Sequence, residues 1–195
     1  MRTIFLCGLF SVLLLANEAN SNIKEKIPYK IAQQEAKHAV HQFHKLIGGG
    51  LKKAIKKDGI IGGARFCAIK SLGVIKKLDK DLGENISIKR ISLRNRNPKS
   101  TPTKDEKSIL IALSLLEKSS TYLPKQITQV VDDGVYKIYS PATMSKKVCK
   151  KCHGFKGNIN PKVSKLFLEK YPDDQAYGFK AGEVRGAVVV TVKVK

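Results

Sequence analysis

The chain has 195 residues, of which 37 are Lys or Arg and 16 are Asp or Glu, so its formal net charge is +21. It has no Trp, only 7% of its residues are aromatic, and no base-stacking pattern occurs, so we expect no nucleic-acid partner. A basic surface of this kind fits an acidic redox or signalling protein, an anionic membrane surface or another polyanion, and a solvated lysine-rich surface without a partner is the alternative.

The first 21 residues have the pattern of a secretory signal peptide. Arg2 supplies a positive charge, an apolar run extends from Ile4 to Ala16, and Ala19-Asn20-Ser21 offers small residues for cleavage. The run is too short to span a bilayer comfortably, although an uncleaved anchor is the alternative. We therefore expect an exported, periplasmic protein, and the remaining length suits a single domain.

Residues 22–60 are predicted to form an N-terminal helical region. Apolar residues recur at helical spacing from Ile31 to Ile47. Gly48-Gly49-Gly50 is expected to interrupt this helix. A second short helix, Leu51 to Lys57, is predicted to end at Asp58-Gly59.

Residues 61–195 are predicted to form the main domain. It begins with a third helix, from Ala64 to Leu82, which stops at Gly83. Cys67 lies on the apolar stripe of this helix, so its side chain is expected to point inward.

Strands and helices alternate over the rest of the main domain, without a βαβ repeat. In chain order the predicted elements are a strand over Asn85–Leu93, a helix that starts at a capping box in Thr103-Lys104-Asp105-Glu106, a hairpin of strands Gln126–Val131 and Val135–Tyr139 around Asp132-Asp133-Gly134, a helix over Pro161–Lys170 and a central strand over Ala187–Val194. This order predicts an α+β fold with a mainly antiparallel sheet.

The segment Cys149-Lys150-Lys151-Cys152-His153-Gly154 contains C-x-x-C-H, the attachment motif of a c-type haem. In such a motif the two thiols form thioethers to the haem vinyl groups, and the adjacent histidine meets the iron from the proximal side. Cys149, Cys152 and His153 are the residues concerned. The export signal agrees, because c-type haem is attached outside the cytoplasm. We predict one covalent haem c.

Two other chemistries could use the same segment. A redox dithiol would gain from the intervening lysines, which favour the thiolate, but the βαβ setting expected for such a pair is not evident. Zinc would need Cys149, Cys152 and a third thiolate, and the sequence has no second C-x-x-C.

Cys67 remains without a disulfide partner once Cys149 and Cys152 are assigned to haem. A free thiol in an oxidising compartment needs a reason. The simplest reason is that Cys67 is a small apolar residue of the core.

Several segments follow one another in a recognisable order: Ala64–Ile69, Ile88–Pro98, Val135–Tyr139, Cys149–Gly154, Tyr171–Gly178 and Gly182–Ala187. This order resembles the PAS-like c-type haem domains of exported haem sensors, over roughly residues 30–195. The resemblance implies a PAS-like antiparallel sheet flanked by helices, with N-terminal helices and one c-type haem. It also implies an axial pair in which His153 is the proximal ligand and Cys67 the distal ligand.

Other side chains could take the distal position. His38, His41 and His44 are spaced i, i+3 and i+6 along the first predicted helix, and one of them could reach the iron. Met144 lies close before Cys149 in sequence, so it cannot easily cross to the opposite haem face.

Haem propionates need cationic partners, and arginine pairs with carboxylates in a bidentate way. Four arginines are candidates, although each of them could be ordinary surface charge: Arg90, Arg94, Arg96 and Arg185.

Two classes of function fit these features. The first is a non-enzymatic exported haem protein for redox or gas sensing, or for electron transfer. The second is a small haem enzyme of the peroxidase or nitrogen-oxide reductase type. An enzyme needs an open iron site and an acid or base over it, and with Cys67 bound neither is evident. The sequence therefore favours the non-enzymatic protein.

Overall fold

The computed structural model describes residues 27–120, 122–145 and 147–194. The predicted signal peptide, residues 1–21, lies outside the described residues and stays a prediction. None of the helices in these ranges combines the length and the apolar character that crossing a membrane requires.

The helical part of the structure starts with a long, nearly uninterrupted run. The α-helices of the described residues are α1 (27–43), α2 (Gly49–Arg65), α3 (Ser71–Asp81), α4 (Lys104–Lys118), α5 (Lys150–His153) and α6 (Pro161–Lys170). Two π-helical segments, His44–Gly48 and Phe66–Lys70, join α1 to α2 and α2 to α3. Short 3-10 turns lie at Pro98–Ser100, Lys147–Cys149 and Lys156–Asn158.

The expected break at Gly48-Gly49-Gly50 is wrong. Gly48 (φ −66°, ψ −42°) and Gly49 (φ −65°, ψ −45°) have helical backbone angles, so the chain continues from α1 into α2. A Cβ atom at Gly50 would lie 2.4 Å from the ring of Phe66. The glycine therefore lets this ring lie directly on the helix backbone, and that tertiary contact outweighs the weak helix propensity of glycine.

Helix α2 bends sharply at Asp58-Gly59, where the second helix is predicted to end. Gly59 has φ +62° and ψ −158°, a backbone conformation that side chains other than glycine rarely adopt. The two arms of α2, before and after the bend, lie against each other. Their contact is close, since a Cβ atom at Gly63 would be only 2.6 Å from the side chain of Ile55. The third helix resumes directly after the bend, earlier than Ala64, the predicted start.

Four strands form one antiparallel sheet in the order β1-β4-β3-β2. Their bounds are β1 (Ile86–Ile91), β2 (Ile127–Asp132), β3 (Val135–Thr143) and β4 (Val184–Lys193). Val190 of β4 pairs with Ile88 on one side and with Ile138 on the other. The apolar β4 is thus a central strand, as predicted.

Both faces of the sheet are covered by helices. Ala36 of α1 and Leu78 of α3 belong to the same buried cluster as Val190, on one face. Leu113 of α4 belongs with Val189 to a cluster on the other face. The N-terminal helix therefore shares its core with the sheet, and the predicted α+β fold with an antiparallel sheet flanked by helices is confirmed.

Local sequence signals predict several element ends correctly. Thr103 caps α4, and its side chain and that of Glu106 form both hydrogen bonds of a capping box. The residues Asp132-Asp133-Gly134 connect β2 to β3, and α6 has the predicted bounds.

A β-bulge interrupts the pairing of β3 with β4. Ala142 pairs with Gly186 and Thr143 with Val184, so Arg185 between them has no partner on β3. Bulges of this kind redirect a side chain. Gly186 has φ +156°, and a Cβ atom there would lie 2.2 Å from a backbone carbonyl oxygen of β1, so glycine is required.

Candidate functional site

A cleft lies at the end of the sheet where β1 and β3 finish and β4 begins. Its walls come from α2 and the π-helical segment after it, from the loop that follows β1, and from residues 148–153. The cleft is lined by all eight predicted site residues: Cys67, Arg90, Arg94, Arg96, Cys149, Cys152, His153 and Arg185.

The ring of His153 is held by one backbone carbonyl. Its Nδ1 lies 2.9 Å from the carbonyl oxygen of Ala176, which can only accept, so Nδ1 carries the proton and donates it. This hydrogen bond fixes the tautomer in which Nε2 has a free lone pair. A histidine that ligates a metal usually has such a partner on its other nitrogen.

Arg185 occupies the free side of this ring. Its Nη1 lies 3.1 Å from Nε2 of His153 and donates a hydrogen bond to it. Burial, together with the positive charges of Arg185 and Arg96, holds the pKa of His153 well below 6.5. His153 is therefore neutral, and the lone pair of its Nε2 accepts the hydrogen bond from Arg185.

Cys67 belongs to the π-helical segment Phe66–Lys70, and π-bulges are frequent at functional sites. The side chain is partly buried against the cluster that contains Ala64 and Phe167. Burial raises the pKa of the Cys67 thiol, and the nearby Arg90 opposes that shift. Cys67 thus packs at the edge of a core cluster and also lines the cleft.

The two motif cysteines lie on different sides of their segment. Cys152 packs with Cys67 against the cluster of α6, whereas Cys149 packs against Met144 and Phe179. Burial, reinforced by Cys67, raises the pKa of Cys152 to about 11. A redox dithiol needs a readily formed thiolate, so this shift disfavours that alternative.

Zinc is the other alternative that the sequence leaves open for this segment. The described residues contain no group of three or more His, Cys, Asp or Glu side chains that could hold a metal ion. Tetrahedral zinc needs such a set.

Arg96 connects the loop after β1 to the motif. Its Nε donates to Asp174 at 2.6 Å, and its Nη2 donates to the carbonyl oxygen of Cys152 at 2.8 Å. The guanidinium also lies 3.4 Å from the ring centre of Phe167. With only 8% of its side chain exposed, Arg96 is committed to holding the motif in position.

The guanidinium of Arg94 is likewise held by contacts within the protein. It forms an ion pair with Glu183, donates to the carbonyl oxygen of Tyr177 at 3.1 Å, and stacks on the ring of Phe179 at 3.7 Å. Its charge is therefore already balanced by a carboxylate.

Arg90 and Arg185 differ from the other two arginines. Among the described residues, neither of them forms an ion pair with a carboxylate. Burial lowers the pKa of both, and the proximity of Arg90 contributes to lowering that of Arg185 to about 10. A cleft with two half-buried cations that lack a counter-charge suits an anionic ligand.

The alternative candidates for the distal position lie outside the cleft. His38, His41 and His44 are exposed on the first helix and its π-helical extension, and none of them lines the cleft. Met144 is buried beside Cys149, on the motif side, so it is no candidate for the opposite face.

Three functional contacts have no signal that sequence reasoning could use. Asp174 and Glu183 balance Arg96 and Arg94, but an acidic residue gives no sign of its distant partner. The contribution of Ala176 is a backbone carbonyl, which every residue has. A further link runs from Asn97 to Tyr171 at 3.3 Å, and the Tyr171 hydroxyl donates to the carbonyl of Ala68 at 3.0 Å.

Fold and site together define an α+β domain with a cationic cleft, in which a C-x-x-C-H segment and a free thiol meet. The chain belongs to the Tll0287-like family, whose pattern matches residues 15–193. Among solved structures, the crystal structure of the cyanobacterial heme-protein Tll0287 matches with a TM-score of 0.58 and 19% identity, over 84% of this chain and 95% of that chain. At this identity the match shows the fold. None of the curated proteins matches the chain significantly.

Proposed function

We propose that the chain is an exported protein that holds one covalent c-type haem through Cys149 and Cys152, and that it acts in redox or gas sensing or in electron transfer. The observation that carries the proposal is the neutral His153, whose Nδ1 is bonded to Ala176 and whose Nε2 is an unprotonated acceptor in the cleft, contacted by Arg185. The heme-protein Tll0287 has the same fold, which supports the proposal.

The residues of the cleft fit such a group. Cys149 and Cys152 supply the two thiols, and His153 supplies the proximal nitrogen. Leu51, Ile55 and other apolar side chains of α2 supply a hydrophobic wall. A bound c-type haem would supply a one-electron iron couple. One adjustment is required, because Arg185 must leave Nε2 of His153 before this nitrogen can ligate iron.

Arg90 and Arg185 are the proposed partners of the two propionates. Both line the cleft, and neither has a carboxylate partner among the described residues. The resulting ion pairs would compensate the charges of two half-buried cations at once. Arg94 and Arg96, also predicted from the sequence, have carboxylate partners already, so we assign them the positioning of the motif and its surroundings.

Cys67 is the proposed distal ligand. It lines the same cleft as His153 but comes from the π-helical segment after α2. As a thiolate, Cys67 would favour ferric iron and so a low reduction potential. Arg90, Arg96 and Arg185 each lower the pKa of this thiol, which helps the thiolate to form once a cation is bound.

The test is expression with the c-haem maturation machinery, followed by haem quantification after denaturation. We expect one retained haem per chain, and none in the Cys149→Ser/Cys152→Ser variant. Protein that matures fully but retains no haem refutes the proposal.

A second measurement addresses the distal ligand. Cys67→Ser should convert a low-spin thiolate spectrum of the ferric protein to a high-spin one. Ser71→Ala is the matched control, because Ser71 also lines the cleft and contacts the Cys67 carbonyl at 2.7 Å, yet offers no thiol. An unchanged spectrum in Cys67→Ser would assign the distal position to another group.

A further inference from the structure

The haem-attachment segment also forms a strongly basic surface. Residues 147–156, here called the attachment surface, read Lys-Val-Cys-Lys-Lys-Cys-His-Gly-Phe-Lys. The lysine side chains are exposed: Lys147, Lys150, Lys151 and Lys156. The segment forms the 3-10 turn Lys147–Cys149 and α5, so these lysines lie close to the motif cysteines along the chain.

The charge of this surface is not balanced locally. The sequence has no acidic residue between Asp133 and Glu169. Among the described residues, none of the four lysines forms an ion pair, whereas Lys89 contacts Glu106 at 2.8 Å and Lys77 contacts Asp81 at 2.8 Å. Positive charge that lacks a partner within its own chain raises the local potential and attracts anionic partners.

Apolar side chains lie within the same surface. The side chain of Phe155 is 71% exposed although it directly follows the buried Gly154, and that of Val148 is 38% exposed. Val148 also lines the cleft, so the surface reaches the edge of the site. An exposed aromatic residue surrounded by lysines resembles the composition of a protein interface, in which an apolar centre has a charged rim.

We propose that the attachment surface is the docking site of an acidic redox protein, which exchanges electrons with the haem at its thioether edge. This inference rests on the proposed haem function. A protein partner is favoured over a membrane, because an interfacial membrane anchor needs a helix with a broad apolar face. The attachment surface has only short helical turns and a single strongly exposed aromatic residue.

The experiment uses the purified haem protein and a plant-type [2Fe–2S] ferredoxin as a generic acidic redox probe. Binding is measured by calorimetry at low and at high ionic strength. The fourfold variant Lys147→Gln/Lys150→Gln/Lys151→Gln/Lys156→Gln should bind about tenfold more weakly at low salt, and the difference should shrink at high salt. Phe155→Ser should weaken binding at both salt concentrations.

The matched control removes the same charge elsewhere. Lys76, Lys80, Lys104 and Lys107 are exposed lysines of α3 and α4, and their fourfold change to Gln should leave binding within about twofold. Equal losses in the two variants would mean that net charge alone attracts the probe, and would overturn the proposal. So would binding to phosphatidylglycerol vesicles, lost with the same four lysines, in a protein that does not bind ferredoxin.

The two proposals can fail separately. Calorimetry needs no haem, and the haem content of each sample is measured after denaturation. Probe binding by wild-type protein that matures fully but retains no haem would refute the haem proposal and the electron exchange, and would keep only the docking site. Full haem content without salt-sensitive binding of the probe would keep the haem proposal and refute the docking site.

Discussion

The guanidinium of Arg185 lies 3.1 Å from Nε2 of His153, while Nδ1 of the same ring is bonded to Ala176. Arg185 therefore contacts the one ring nitrogen that is free to accept. The bulge that leaves Arg185 without a partner on β3 is what allows its side chain to reach this ring. A cation at this position opposes protonation of the imidazole, and it occupies the lone pair that the proposed haem iron would need.

Removal of the Arg185 charge should raise the pKa of His153. In the haem-free Cys149→Ser/Cys152→Ser background, Arg185→Gln takes away the largest electrostatic cause of the lowered pKa, although burial continues to lower it. NMR titration of the imidazole protons measures this pKa. Arg65→Gln, at an exposed position outside the cleft, should leave it unchanged. If the pKa of His153 were the same in Arg185→Gln and in Arg65→Gln, the contact between Arg185 and His153 would be contradicted.

The haem-free protein should lose stability as the pH falls below about 6.5. The folded state holds the pKa of His153 well below that of the unfolded chain, so below pH 6.5 the unfolded chain binds a proton that the folded one does not. The free energy of unfolding should therefore fall by up to about 1.4 kcal/mol per pH unit from this residue. Above about pH 6.5 His153 is neutral in both the folded and the unfolded chain, so it adds no pH dependence to the free energy of unfolding. Urea unfolding of His153→Gln should show a shallower pH dependence, and an equal slope would refute the assignment.

Replacement of Arg96 should both destabilise the protein and impair haem retention. Arg96→Ala leaves the fully buried Asp174 without its cation and the Cys152 carbonyl without its donor. Breaking a buried pair of this kind costs about 3 kcal/mol. Arg65→Ala, which removes an exposed arginine, should cost under about 0.5 kcal/mol. Chemical unfolding gives the free energies, and a double-mutant cycle with Asp174→Asn isolates the pair. Additive effects in that cycle would contradict the coupling.

Two glycine-to-alanine substitutions should change the stability of the protein in opposite directions. Gly186→Ala places a Cβ atom 2.2 Å from the Ile91 carbonyl oxygen, at φ +156°, so it should destabilise the protein by more than about 1 kcal/mol and displace Arg185. Gly73→Ala, within α3 and with open space around it, should stabilise by up to about 1 kcal/mol. Thermal unfolding compares them, and destabilisation of similar size in both would contradict this account.

Features that depend on short stretches of sequence could be predicted. The capping box at Thr103, the turn at Asp132-Asp133-Gly134 and the bounds of α6 follow from local hydrogen bonds and backbone preferences. The motif residues and Cys67 could also be named, because C-x-x-C-H uses two cysteines and leaves one. These four residues, Cys67, Cys149, Cys152 and His153, lie together in the cleft.

Features that depend on distant contacts could not be predicted. Gly48-Gly49-Gly50 resembles a helix break, and only the ring of Phe66 against Gly50 shows why the helix continues. Four arginines look equivalent in the sequence, but the carboxylates Asp174 and Glu183 take two of them. Charge partners chosen by the tertiary fold leave no periodic pattern in the chain.

The position of β4 has a consequence for the order of assembly. This strand follows the other three in the chain, yet it separates β1 from β3 in the sheet. In the export that we propose, a chain delivered across the membrane only as far as Gly154 would have the β2–β3 hairpin but no partner for β1. During that interval Cys149 and Cys152 have already emerged, and the sheet that builds the cleft around them has not formed. The covalent haem attachment that we propose would thus take place on two accessible thiols, before folding encloses them.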